Sequence, residues 1–104
     1  MSIVITEHAQ QRARERLNWS RGSLERMVDR VFYFGIAVDR ARGRVARYLE
    51  AAQDTADVMV RAYGEHLYIF AQDPLHADIA LVTVYEVPVP LRPLLRKHRL
   101  ACAA

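Results

Sequence analysis

Three side chains near the N-terminus have the types and the spacing that suit chemistry on a phosphate. His8, Arg12 and Arg16 are four residues apart, so on a helix they lie on one face, one turn after another. Histidine exchanges protons near neutral pH, and the forked guanidinium of arginine binds phosphate oxygens. The spacing therefore predicts a helical face on which an acid–base group stands beside two phosphate-binding cations.

A second set of polar side chains falls in the C-terminal half, where the residues alternate as in strands. If the first helix packs across that sheet, these side chains converge with His8 and the arginines. The predicted catalytic set consists of His8, Arg12, Arg16, Arg61, Tyr63, Thr83 and Tyr85.

Ordinary structural roles are open for the same residues. His8 helps to cap the helix, and Arg12 and Arg16 pair with acids, in this alternative interpretation. Tyr63 and Tyr85 are then strand aromatics in cross-strand pairs. The acids available to the arginines are Glu15, Asp29 and those of the strands.

Other candidate ligands are weaker. Asp73, His76 and Asp78 lie within one loop, where ordinary turn chemistry explains them, so neither a metal ion nor a cofactor is predicted. The sequence contains no Gly-rich phosphate loop and no nucleophile elbow. We expect His66, beside a turn, to face solvent and Trp19 to be a packing anchor.

The first helix is predicted over Glu7–Leu17. Thr6 precedes it as an N-cap, and Glu7 stands in the first turn, where the helix dipole favours an acid. Its apolar stripe is thin, and thin stripes allow close approach to a neighbour. The stripe consists of Ala9, Ala13 and Leu17.

A second helix is predicted between the N-cap Ser20 and Gly35, which occupies the position of a C′ glycine. Its expected core face consists of Leu24, Met27, Val28, Val31 and Phe34. The stretch 36–53, broken at Gly43, predicts either a short helix or a strand-like excursion.

The second half of the chain has the period of strands. We predict strands over Val58–Tyr63, His66–Phe70 and Ile79–Val87, the first two joined by a turn that begins with Gly64. Residues 3–5 suit a short edge strand, and Pro93 suits the start of a short helix through Leu100.

The expected fold is therefore α+β in one domain, with two or three helices on one face of a three-stranded antiparallel meander. Residues 1–53 are mainly helical, 58–87 form the meander, and 88–104 are a Pro-rich basic tail.

Composition and charge limit the function classes. The chain has 104 residues, 52% of them hydrophobic, and therefore must bury a core. No apolar run approaches a membrane span, the N-terminus lacks the order of a signal peptide, and the single Cys102 excludes an internal disulfide. A cytoplasmic protein with no membrane partner is expected. The small size favours a homodimer or a docked partner.

The net charge of +3 is unevenly distributed. Residues 1–52 carry a net charge of +4, residues 53–87 of −5 and residues 88–104 of +4. Such a pattern suits binding of a polyanion or self-association.

The order of motifs resembles a family. Thr6-Glu7-His8-Ala9-x-x-Arg12-x-x-x-Arg16 is followed by Gly35-Ile36, Tyr48-Leu49, Arg61-x-Tyr63-Gly64 and Val82-Thr83-Val84-Tyr85-x-x-Pro88. Nearly the whole chain resembles a group of short uncharacterised proteins common in phages and prophages. That group is similar to toxin domains of the RelE and BrnT kind, within the fold of metal-independent ribonucleases. The chain departs from it in a longer segment 71–78 and an extension over 89–104.

The resemblance implies RNA cleavage, restrained by an antitoxin. Cleavage without a metal needs a base for the 2′-hydroxyl, an acid for the leaving oxygen and cations on the phosphate, which the predicted set supplies. We therefore expect a metal-independent ribonuclease toxin-like protein or an RNA-binding relative without catalysis. The alternatives are an accessory protein that binds a host protein partner, favoured by the acidic segment, and a structural homodimer.

Overall fold

The computed structural model describes residues 3–54, 57–72 and 78–103. The chain is α+β, as predicted. In chain order the elements are β1 (Ile3–Ile5), α1 (Glu7–Leu17), α2 (Arg21–Phe34), a 3-10 turn (Val38–Arg40), α3 (Gly43–Ala52), β2 (Val58–Tyr63), β3 (His66–Gln72), β4 (Ile79–Glu86), a second 3-10 turn (Val89–Leu91) and α4 (Arg92–Ala103).

The sheet has four strands in the order β1-β4-β3-β2. The predicted antiparallel meander is present as β2, β3 and β4. The edge strand predicted over residues 3–5 is confirmed as β1, but the prediction of a three-stranded antiparallel sheet was wrong, because β1 adds a fourth strand in parallel, from Ile3 opposite Ile79 to Ile5 opposite Leu81. The sheet is therefore mixed. Local sequence patterns do not predict the pairing of β1 with β4, because the two strands lie far apart in the chain.

Helices cover both faces of the sheet, whereas the sequence predicted helices on one face. A first core joins α1 and α2 to one face, and its buried residues include Ala13, Leu24, Val31, Phe70 and Leu81. A second core joins α3 and α4 to the other face, and its buried residues include Val45, Leu49, Val60, Leu67 and Leu95. The strands serve both cores because alternate residues of a strand point to opposite faces.

Helix α1 has the predicted bounds and the predicted cap. The Thr6 hydroxyl accepts a hydrogen bond from the Ala9 amide at 3.1 Å, and Thr6 also donates from its backbone to the Leu81 carbonyl at 3.2 Å. Ala9 and Ala13 are fully buried, so the thin stripe does allow α1 to lie close to the sheet. The N-cap thus fixes the helix to β4 as well as starting it.

Gly35 ends α2, but not in the left-handed conformation of a C′ glycine. Its φ is −66°. A Cβ at this position would lie 2.5 Å from the Val31 carbonyl oxygen and 2.9 Å from the Arg61 Cβ, so close packing is what requires glycine. Ile36 then forms an antiparallel bridge with Ala62, and the chain crosses the β2 edge from one face of the sheet to the other.

Phe34 was wrongly assigned to the core, since 77% of it is exposed. Residues 36–53, left open between two interpretations, contain the 3-10 turn and α3. The segment after Pro88 is largely helix: Leu91, Leu94 and Leu95 pack into the second core.

Among the residues described, no helix combines the length and the apolar character that crossing a membrane requires.

Candidate functional site

Of the α1 residues predicted to bind phosphate, His8 is free to contact a ligand, whereas Arg12 already pairs with an acid. His8 is exposed in the first turn of α1. Arg12 forms an ion pair with Glu15, with 2.8 Å between Nη1 and Oε2, and this hydrogen bond lowers the pKa of Glu15. The structural interpretation of Arg12 therefore accounts for its position.

Arg16 and Tyr85 are the members of the predicted set that the structure brings together. The Arg16 guanidinium lies over the Tyr85 ring, 5.1 Å from its centroid, and donates to the backbone carbonyl of Val84. Val84 lies beyond the part of β4 that β1 covers, so its carbonyl would otherwise lack a partner at the edge of the sheet. Arg16 thus covers the β4 edge.

Arg61 does not join the α1 residues, contrary to the predicted convergence. Its guanidinium donates to the Phe32 carbonyl at 3.0 Å and to the Val60 carbonyl at 2.8 Å, and it lies 4.8 Å from the centroid of the Phe32 ring. Burial lowers the pKa of Arg61, while Asp39 raises it. Arg61 therefore belongs to α2 and the β2 edge.

Thr83 is buried, with 6% of its surface exposed, and its hydroxyl has no hydrogen-bond partner among the described residues. The register places it opposite Ile69, on the face of the second core. Tyr63 is half-buried against the first core. Thr83 and Tyr63 thus occupy opposite faces of the sheet.

His66, expected to face solvent, is half-buried at the end of the sheet. It stands directly opposite Tyr63 on β2 and Glu86 on β4, so the three side chains form one row across the sheet. Directly opposed residues have Cβ atoms about 5 Å apart. We call Arg16, Tyr63, His66 and Glu86 the His66 cluster.

The electrostatics of the cluster are set mainly by burial, which lowers the pKa of His66. Arg92 lowers this pKa further, whereas the Arg16 backbone and the carboxylates of Glu86 and Glu65 raise it.

Glu65, at the hairpin turn, forms ion pairs with two arginines of α4. Its carboxylate lies 3.7 Å from the Arg92 guanidinium and 3.8 Å from that of Arg96, and its backbone carbonyl accepts a hydrogen bond from the Val87 amide at 3.0 Å. The two arginines partly neutralise the acid next to His66.

Within the described part of the chain, no three His, Cys, Asp or Glu side chains group as a metal site would require. Asp73 and His76 lie outside the described residues, and Asp78 is exposed.

Part of the His66 cluster could be found from the sequence. A two-residue turn makes Tyr63 and His66 direct partners, which places them on one face. Glu86 needs the register of β3 on β4, and that register includes an irregularity between Ile69 and Phe70 that no sequence pattern shows. The contact with α1 is tertiary.

Comparison with family models, with curated proteins and with solved structures found no match to this chain.

Proposed function

We propose that this chain is a metal-independent endoribonuclease and that the His66 cluster is its active site. The observation that carries the proposal is the position of His66 between Tyr63 and Glu86 in one row across the sheet, beside α1. The resemblance to RelE-like and BrnT-like toxins points to the same activity. The predicted site is revised, since His66 takes the role first given to His8.

The proposed reaction uses the 2′-hydroxyl of RNA as nucleophile. The 2′-oxygen forms a bond to phosphorus while the bond from phosphorus to the 5′-oxygen breaks, which yields a 2′,3′-cyclic phosphate and a 5′-hydroxyl. One group must remove the proton of the 2′-hydroxyl, and another must protonate the leaving oxygen.

His66 suits the role of base. Burial lowers its pKa, which favours the neutral ring, and a neutral imidazole has one ring nitrogen that can accept a proton. Glu86, opposite His66, stabilises the imidazolium that forms. The Tyr63 hydroxyl, on the other side of His66, is the donor nearest in register for the leaving oxygen.

Arg16 suits the role of cation. A guanidinium has five N–H donors, and that of Arg16 donates one of them to the Val84 carbonyl. The donors that remain can bind phosphate oxygens as charge develops on them. Arg92 and Arg96 reduce the repulsion that Glu65 would exert on the incoming RNA.

The test is cleavage of single-stranded RNA in the presence of EDTA, with the product ends identified by mass spectrometry. We expect 2′,3′-cyclic phosphate ends and a loss of about 10²–10⁴-fold in His66→Ala, the range for losing one acid or base. His8→Ala is the matched control, because His8 is the exposed histidine of the predicted site, and we expect it to keep its activity.

Other outcomes would identify a different function. Loss of cleavage in His8→Ala alone would move the site to α1. If neither the wild type nor a variant cleaves RNA, a non-catalytic role in binding RNA, an antitoxin or a host protein would take the place of this proposal. Equal growth arrest by the wild type and by His66→Ala would also indicate a non-catalytic role.

A further inference from the structure

A groove of about 220 Å³ lies where α2 ends beside the β2 edge. Its lining includes Phe32, Tyr33, Gly35, Asp39, Arg40 and Arg61. Tyr33 is 57% exposed, and the neighbouring Phe34 is 77% exposed. We call this site the aromatic groove, and Phe34, which follows Tyr33 in the chain, is not among its lining residues.

The walls of the aromatic groove are held in place before any ligand binds. The Phe32 ring packs edge to face on Phe70, with 5.1 Å between centroids, and Arg61 lies 4.8 Å from the Phe32 centroid. Tyr33 stands at 86° to Phe32, with 5.3 Å between centroids. Binding would therefore require little ordering of these rings.

The size and the charges of the aromatic groove limit its occupant. Drug-sized ligands fill about 300–1,000 Å³, so 220 Å³ suits one small ring system. Arg40 supplies a cation for a phosphate, and the Asp39 carboxylate can accept hydrogen bonds from the N–H groups of a base. Exposed aromatic rings next to arginine are typical of surfaces on which bases of single-stranded nucleic acids stack.

We propose that the aromatic groove binds one unpaired base of a single-stranded RNA, stacked on Tyr33, with the adjoining phosphate on Arg40. This inference rests on the proposed RNA substrate. Arg61 in the groove and Tyr63 in the His66 cluster are two residues apart on β2, about 7 Å along the strand. One RNA strand can therefore contact both sites.

The test is the affinity of a short fluorescent RNA with 2′-O-methyl sugars, which the proposed reaction cannot cleave, measured by anisotropy. We expect Tyr33→Ala to weaken binding by about 5- to 100-fold, the range for one stacked base. Arg40→Ala should lower the slope of log affinity against log salt by about one, whereas Tyr33→Ala should leave it unchanged.

Val89→Ala is the matched control, because Val89 is also an exposed apolar residue, 66% exposed, but precedes α4. We expect its affinity to equal that of the wild type. An RNA that lacks one base should lose the dependence on Tyr33 when the missing base is the one that stacks.

The results separate this inference from the proposed function. Wild-type affinity in Tyr33→Ala would overturn the inference, even if His66→Ala abolishes cleavage. Weaker binding in Tyr33→Ala, with no cleavage by the wild type, would support the groove and reject the nuclease. A dimer that dissociates in Tyr33→Ala, with unchanged RNA affinity, would make this surface an interface between two copies and overturn the inference.

Discussion

Arg16 and Arg61 each donate to a backbone carbonyl on a side of the sheet that no strand covers: Arg16 to Val84, in the part of β4 beyond β1, and Arg61 to Val60 of the edge strand β2. Each guanidinium also lies against an aromatic ring, Tyr85 for Arg16 and Phe32 for Arg61. Uncovered edges invite pairing with other chains, and charged side chains oppose it. The two arginines therefore stabilise the boundaries of the sheet.

Arg61→Ala should lower the free energy of unfolding by about 1–3 kcal/mol. The variant loses two hydrogen bonds to backbone carbonyls and the contact with the Phe32 ring. Arg61→Lys should recover little, because an ammonium lacks the planar fork. Urea denaturation measures both, and Arg47→Ala, at an exposed position of α3, should stay within about 0.5 kcal/mol of the wild type. Equal effects at 47 and 61 would contradict the edge role.

Gly35→Ala should destabilise the protein by about 1–3 kcal/mol, because its Cβ would stand 2.5 Å from the Val31 carbonyl oxygen and 2.9 Å from the Arg61 Cβ. Gly22→Ala is the matched control inside α2. There the nearest atom is the end of the flexible Arg26 side chain at 3.4 Å, so alanine should be neutral or stabilise by up to about 1 kcal/mol. Thermal unfolding of both variants measures the two changes in stability. An unchanged stability in Gly35→Ala would contradict the prediction, because it would show that the backbone at position 35 shifts to make room for the Cβ.

Thr83→Val should raise the free energy of unfolding by about 1 kcal/mol, because the buried Thr83 hydroxyl has no partner among the described residues. The same variant tests the catalytic role predicted for Thr83 from the sequence. We expect RNA cleavage to be unchanged, because the register places Thr83 on the other face of the sheet from His66. A large loss of cleavage in a folded Thr83→Val would restore Thr83 to the site.

The free energy of unfolding should fall as the pH is lowered through about 6.5, the unperturbed pKa of histidine. Burial lowers the pKa of His66 in the folded state, so the unfolded chain binds its proton first and acid favours unfolding. The stabilisation is complete above the unfolded pKa and is lost below it. Urea midpoints between pH 8 and pH 5 measure this, and His66→Gln should remove the contribution of this group. An unchanged pH profile in His66→Gln would contradict the half-buried position of the ring.

Local signals predicted the local structure well. Thr6 and Ser20 accept hydrogen bonds at the starts of α1 and α2, and Gly64 has the φ of +62° that its turn requires. Caps and turns are determined by residues a few positions apart, which a sequence shows directly.

Tertiary contacts account for the predictions that were wrong. The periodicity of α2 continues to Phe34, but this residue is exposed, whereas the chain turns at Gly35 and pairs with β2 through Ile36. Similarly, the Arg16 backbone, which affects the pKa of His66, belongs to α1 and lies far away in sequence. The sequence also predicted that Arg61 lies beside the arginines of α1. Instead, the Arg61 guanidinium donates to the Val60 carbonyl at the β2 edge.

The parallel pairing of β1 with β4 also has a consequence for folding kinetics. Ile3 and Ile79 are direct partners, so three-quarters of the chain separates the two strands of this pair. Contacts between such distant residues form slowly, because the loop between them must lose its entropy first. During synthesis, β1 and the apolar stripe of α1 leave the ribosome long before β4 exists to receive them. The N-terminal segment should therefore dock last, and until then a chaperone or another chain can bind it.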